Sequence, residues 1–190
     1  MSDYMAAEIR IGGKVPARLV PELCEQITGE GVGIEMGSIP FRPESADQLL
    51  AACEDHDGVR LLCLYDDQAR WGRFERLEAF LRKHRIAYDR FSEGKYEYTP
   101  EAARFRPKEG LVLLVTDPSR EPIVAASGLA PVEKALARGI GQLDRGKTAA
   151  GLQSLKRALR LLREKLPPAV PPLRAFEIEP VKDRKENHGG

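Results

Sequence analysis

The N-terminal half of this 190-residue chain carries one local pattern twice, an apolar strand, an amphipathic helix and a second strand. In the first copy, spanning residues 8–36, Glu8-Ile9-Arg10-Ile11 alternates in polarity. Leu19, Val20, Leu23, Cys24 and Ile27 then fall on one helical stripe, and residues 32–36 alternate again. In the second copy, spanning residues 59–90, positions 59–64 are a continuous apolar run, Phe74, Leu77, Phe80 and Leu81 make the stripe, and residues 86–91 follow. Apolar positions at i, i+3, i+4 and i+7 give a helix one buried face, and period-two alternation gives a half-buried strand.

Two such βαβ units in tandem predict an α/β (α+β) fold, a ferredoxin-like mixed sheet assembled by duplication. Right-handed crossovers would then place helices 17–28 and 73–83 on the same face of the sheet. Between the copies, Ser45 followed by Gln48 is a capping box, opening a helix that carries Leu49, Leu50 and Cys53 inward. Asp55-His56-Asp57-Gly58 is expected to end that helix and turn into the strand at Val59. Further strands extend the sheet. Residues 87–92 and 95–99 around Glu93-Gly94 read as a hairpin, 101–110 as a charged loop, 111–116 as a buried strand and 123–126 as a short return strand.

Beyond this sheet domain (1–128) the pattern changes to a C-terminal helical hairpin (129–170) expected to pack on the sheet. Its helices run from Pro131 to about Leu143 and from about Thr148 to Leu166, broken at 144–147. Leu152, Leu155, Leu159, Leu162 and Leu166 form the expected buried stripe of the second. The tail 171–190 is proline-rich and then charged, with an edge strand expected at 174–179 and disorder after Val181. Its final Gly189-Gly190 reads as a flexible end.

Composition narrows the function classes. The formal net charge is +1, so no global field draws in nucleic acid or anionic membrane, and any such contact needs a local patch. No run approaches a membrane span, and the start has no secretory signal pattern, so a cytoplasmic location is expected. Cys24, Cys53 and Cys63 lack metal-like spacing and the three histidines, His56, His84 and His188, are scattered. The cysteines read as small buried hydrophobes in a reducing compartment, and no metal site or cofactor is expected.

Three groups of residues carry candidate chemistry. Asp66 and Asp67 follow an apolar strand and Asp117 follows residues 111–116, the strand-end position where α/β enzymes place metal ligands and general bases. The segment around Tyr96, Tyr98, Arg104 and Arg106 combines aromatics with arginines, a pattern that stacks bases, although interleaved acids would repel phosphates. Lys156, Arg157 and Arg160 lie on the last helix as the best local basic cluster. No complete catalytic constellation is present. The leading expectation is a non-catalytic binding or regulatory module that engages a macromolecular partner, protein favoured over nucleic acid. The alternative is a metal-dependent hydrolase, of phosphodiesterase or nuclease type, using Asp66, Asp67 and Asp117.

Overall fold

The structure, a computed structural model, describes residues 3–95 and 98–180. It is a mixed α+β architecture in the order β1 (Tyr4–Pro16), α1 (Val20–Glu30), α2 (Ala46–Ala51), β2 (Cys53–His56), β3 (Val59–Arg70), α3 (Glu75–Lys83), β4 (Ala87–Ser92), β5 (Glu101–Arg106), β6 (Gly110–Val115), α4 (Ala130–Leu143), α5 (Thr148–Lys165) and β7 (Phe176–Glu179). Two compact units result. A sheet unit takes the chain up to Arg120 and the segment from Val170, and a helical unit is Glu121–Ala169.

In the sheet unit the strands run β2-β3-β1-β4-β5-β6, every neighbouring pair antiparallel, while β7 pairs in parallel with the end of β1. Ala7, Ile9 and Ile11 of β1, Leu62 and Leu64 of β3, Tyr88 of β4 and Phe105 of β5 form one apolar sheet face. Val20, Leu23, Cys24 and Ile27 of α1 and Leu77, Phe80 and Leu81 of α3 pack in the same core. Each large side chain so buried stabilises by about 1.5–3 kcal/mol. The two helices are neighbours, since Lys83 Nζ lies 3.7 Å from Glu22 and Glu30 accepts the Leu77 N–H at 2.9 Å. Pro21 in the first turn of α1 and Gly31 at φ 73° after its last residue set its limits, by fixed φ and by freedom to turn left-handed. At the far side of the core, buried Arg90 sits 3.2 Å from Glu78, whose carboxylate also accepts the Tyr88 hydroxyl at 3.0 Å, tying α3 to β4.

Several expectations fail for identifiable reasons. Residues 32–36 make no strand. Gly33 forms a single bridge to Tyr65, and the chain then turns so tightly that a Cβ on Gly33 would lie 2.2 Å from Ser38 Oγ. The strand beside β3 is instead β2, where the sequence predicts the end of a helix. Asp57 (φ 54°) and Gly58 (φ 80°) form a two-residue turn with both φ values positive, the Asp-Gly hairpin geometry that matches strand twist. Helix α2 therefore stops at Ala51, although its cap is as expected, Ser45 Oγ accepting the Gln48 N–H at 3.4 Å.

Tyr96 and Glu97 of the return strand expected at 95–99 lie outside the described residues, and strand β4 pairs with β5, so the charged stretch predicted as a loop is a strand. Its arginines are one half of an alternation whose other half, Ala103 and Phe105, is buried. Strand β6 is an edge strand, with Leu111, Leu113 and Val115 between 43% and 55% exposed, where a buried strand was expected. Residues 123–126 form no strand. The edge strand expected at 174–179 is β7, and Leu173 and Phe176 are buried beside it. The tail from residue 181 lies outside the described residues.

Within the helical unit, α4 and α5 meet through glycine. A Cβ on Gly139 would lie 2.8 Å from Leu155 Cδ2, and one on Gly151 would lie 3.1 Å from the Gly139 carbonyl oxygen. Gly151 and Ala158 are the buried positions of α5. Leu152, Leu159 and Leu166, expected in a packed stripe, are about half exposed, at 50%, 48% and 49%. Close helix approach by small residues leaves the leucines on the outer side.

Candidate functional sites

The first site is a groove of about 700 Å³ along the α4–α5 hairpin, lined by Arg138, Gln142, Gln153, Ser154, Lys156, Arg157 and Arg160. A neighbouring recess of about 280 Å³ adds Lys134 and shares Arg138 and Arg157. No carboxylate lines either. Arg160 has Glu164 at 3.8 Å on its own helix, and among the described residues no ion pair engages Arg138, Lys156 or Arg157. The floor is ordered by Ser154, whose hydroxyl donates to Gln142 Oε1 at 2.8 Å. Leu136, Ile140 and Leu143 on α4 and Leu152 and Leu159 on α5, all at least 39% exposed, line neither recess and lie about 140–200° round their helices from Arg138 and Arg157, on the other side of the hairpin. Residues 121–169 contain no Phe, Trp, Tyr or His. The groove can thus bind anionic material but offers no ring on which a base could stack.

The second site is a polar patch on the sheet face opposite α1 and α3. Alternation brings Glu8 and Arg10 of β1, Cys63 and Tyr65 of β3 and His56 of β2 to this side. Glu8 is only 3% exposed, and its carboxylate pairs with Arg10 Nε and with Arg120 Nη2, the latter at 2.5 Å. Arg120 comes from the turn after β6 and also covers the Phe91 ring at 4.6 Å. Burial alone would raise the Glu8 carboxyl, but the two guanidinium hydrogen bonds outweigh it and hold its pKa below the ordinary value. His56 Nε2 lies 3.0 Å from Cys63 Sγ and 3.6 Å from Glu54 Oε2, and the Tyr65 hydroxyl meets the same Glu54 oxygen at 3.4 Å. Burial, joined by the charges of Glu54 and Glu8, pushes the Cys63 thiol up to about 12, so it is protonated at neutral pH.

The residues singled out from the sequence are placed as follows. Asp66 and Asp67 lie inside β3, which continues to Arg70, where its register against β1 shifts between Asp66 and Ala69. Asp66 Oδ1 accepts the Gln68 N–H at 2.8 Å, and Asp67 is exposed. Asp117 follows β6, which β1, β4 and β5 separate from β3. Arg106 is 5% exposed and committed internally, to both Asp89 oxygens at 2.6 and 3.2 Å and to the Pro171 carbonyl at 2.7 Å. Arg104 lies on β5 opposite Asp89, Tyr98 packs edge-on against Trp71 with ring centroids 5.7 Å apart, and Tyr96 lies outside the described residues. Lys156, Arg157 and Arg160 alone among these residues converge on an open groove, which Arg138 completes from α4.

Among the described residues no helix is long and apolar enough to cross a membrane. In comparisons with known proteins, no family model, no curated protein and no solved structure matches the chain.

Proposed function

We propose that this protein is a non-catalytic binding module whose α4–α5 hairpin takes an acidic segment of a partner protein. The observation that carries the reading is the convergence on one groove of cations free of ion pairs among the described residues, Arg138, Lys156 and Arg157, with no carboxylate in its lining. Cations alone would suit any polyanion. An acidic peptide brings carboxylates to the arginines, and apolar side chains in it suit the aliphatics exposed on the other face of the hairpin. The lack of aromatics in the hairpin favours protein over nucleic acid. A cytoplasmic setting suits the three free cysteines.

The sheet unit serves in this reading as a scaffold. The order β2-β3-β1-β4 with helices α1 and α3 supports a ferredoxin-like core, extended by β5, β6 and β7. The hydrolase alternative has less support, because Asp66 and Asp67 sit within one strand and Asp117 follows another with three strands between them.

Fluorescence anisotropy with a labelled Glu/Leu-rich peptide and with labelled oligo-dT separates the possibilities. The peptide should bind the wild type with an affinity that falls as salt rises, and Arg157→Glu with Arg160→Glu should weaken binding at least about tenfold while barely moving the melting temperature. Tighter binding of oligo-dT than of the peptide, or equal peptide binding by the double variant, would overturn the proposal.

A further inference from the structure

We propose that Glu8, His56 and Cys63 form a binding site for a zinc-class divalent metal ion. The three side chains come from β1, β2 and β3, and each offers a ligand atom, all lying within 4.8 Å of one another. Glu8 and Cys63 are buried at 3% and 0% exposure, and His56 closes the patch from the hairpin end with its side chain 22% exposed, which leaves an entry path. One thiolate, one imidazole and one carboxylate suit Zn²⁺ or Cd²⁺, whereas Mg²⁺ and Ca²⁺ demand oxygen ligands throughout. Zinc ligands sit at about 2.0–2.3 Å, so tetrahedral neighbours stand about 3.5 Å apart. The Cys63–His56 pair at 3.0 Å is already within about half an ångström of that separation.

The surrounding charges make the binding step explicit. The metal forms bonds to Cys63 Sγ, His56 Nε2 and a Glu8 oxygen, Cys63 releases its proton to solvent, and Arg120 leaves Glu8. Arg120 is the partner able to leave, since its side chain is 42% exposed and sits on a turn. With Arg120 gone, the metal and Arg10 balance the charges of Glu8, Glu54 and the Cys63 thiolate. Glu54, 3.6 Å from His56 Nε2, remains at the rim as a further carboxylate.

The test uses the full chain in a thiol-free reductant. Cd²⁺ is titrated while the thiolate-to-metal charge-transfer absorption is followed, and Zn²⁺ is added in competition. One Cd²⁺ per chain should bind and be displaced by Zn²⁺ but not by Mg²⁺. Cys63→Ser should abolish the absorption, while Cys24→Ser and Cys53→Ser leave it intact. His56→Asn, at the partly exposed end of a hairpin, should weaken binding by more than the roughly 10–100-fold that loss of an outer-shell partner costs. Arg120→Ala should tighten it by about tenfold. Absence of the absorption in folded wild type, its persistence in Cys63→Ser, or unchanged affinity in His56→Asn would overturn the site. Unchanged affinity in Arg120→Ala would remove Glu8 from the ligand set.

Discussion

Replacing Glu8 by Gln keeps the shape of the side chain and removes its charge, which isolates the electrostatic link between the sheet and the turn after β6. The wild-type carboxylate is 3% exposed and holds two guanidinium groups, Arg10 at 31% and Arg120 at 42% side-chain exposure. A hydrogen bond to a charged group contributes about 1.5–3 kcal/mol. The amide oxygen still accepts from one guanidinium without charge assistance, its NH₂ faces the donors of the other, both arginines regain water, and the neutral amide escapes the desolvation that a buried carboxylate suffers. The net cost at neutral pH should be about 2 kcal/mol, a fall in melting temperature of about 4–8 °C for a chain of this size. Because the folded-state pKa of Glu8 lies below its unfolded value, the wild-type advantage is complete above the unfolded value of about 4.3. It disappears as pH falls through the lower, folded value. Thermal melts of both proteins between about pH 7 and pH 3 measure this. Equal stability at pH 7, or a difference that does not shrink on acidification, would refute the linkage.

Two further substitutions probe the scaffold, and the hairpin and metal tests above complete the set. Gly72→Ala should cost about 2–4 kcal/mol in a urea titration, because Gly72 has φ +61° and an added Cβ would lie 2.4 Å from that of Ser92. Arg106→Ala should cost about 3–5 kcal/mol by stranding Asp89 and the Pro171 carbonyl, while leaving acidic-peptide affinity unchanged. A loss of peptide binding in a folded Arg106 variant would place the binding surface on the sheet.

What the sequence makes readable here is governed by periodicity. The stripes Val20, Leu23, Cys24, Ile27 and Leu77, Phe80, Leu81 announce α1 and α3 because one face of each meets the core. Strand β5 escapes the same reading because Arg106 is neutralised within the fold by Asp89, and charge in a strand reads as loop until the partner is known. Leucines also mislead. Leu152, Leu159 and Leu166 look like core in one dimension, but Gly139 and Gly151 let the helices meet elsewhere. The basic groove is half visible, since Lys156, Arg157 and Arg160 share a helix while Arg138 joins them only through the hairpin.

The metal-ligand cluster is hidden for another reason. Cys63 and His56 are seven residues apart, a spacing with no signature, and only the β2–β3 register sets them face to face. The local signal that would have found it is Asp57-Gly58, the preferred dipeptide of a two-residue hairpin. Reading that turn makes residues 53–56 a strand and puts His56 on the Cys63 side of the sheet. Arg120 carries no comparable signal, because its approach to Glu8 depends on a tertiary turn.

The account of the hairpin as a binding surface stands or falls on where an acidic ligand sits. Backbone amide chemical shifts of the full isotope-labelled chain, followed during titration with the Glu/Leu-rich peptide, locate it residue by residue. The largest changes should cluster at Arg138, Gln142, Gln153, Ser154 and Arg157, with smaller ones at Lys134 and Leu161, and should fade together as salt rises. Changes concentrated on β1, β3 or β5, or no saturable change anywhere, would contradict it.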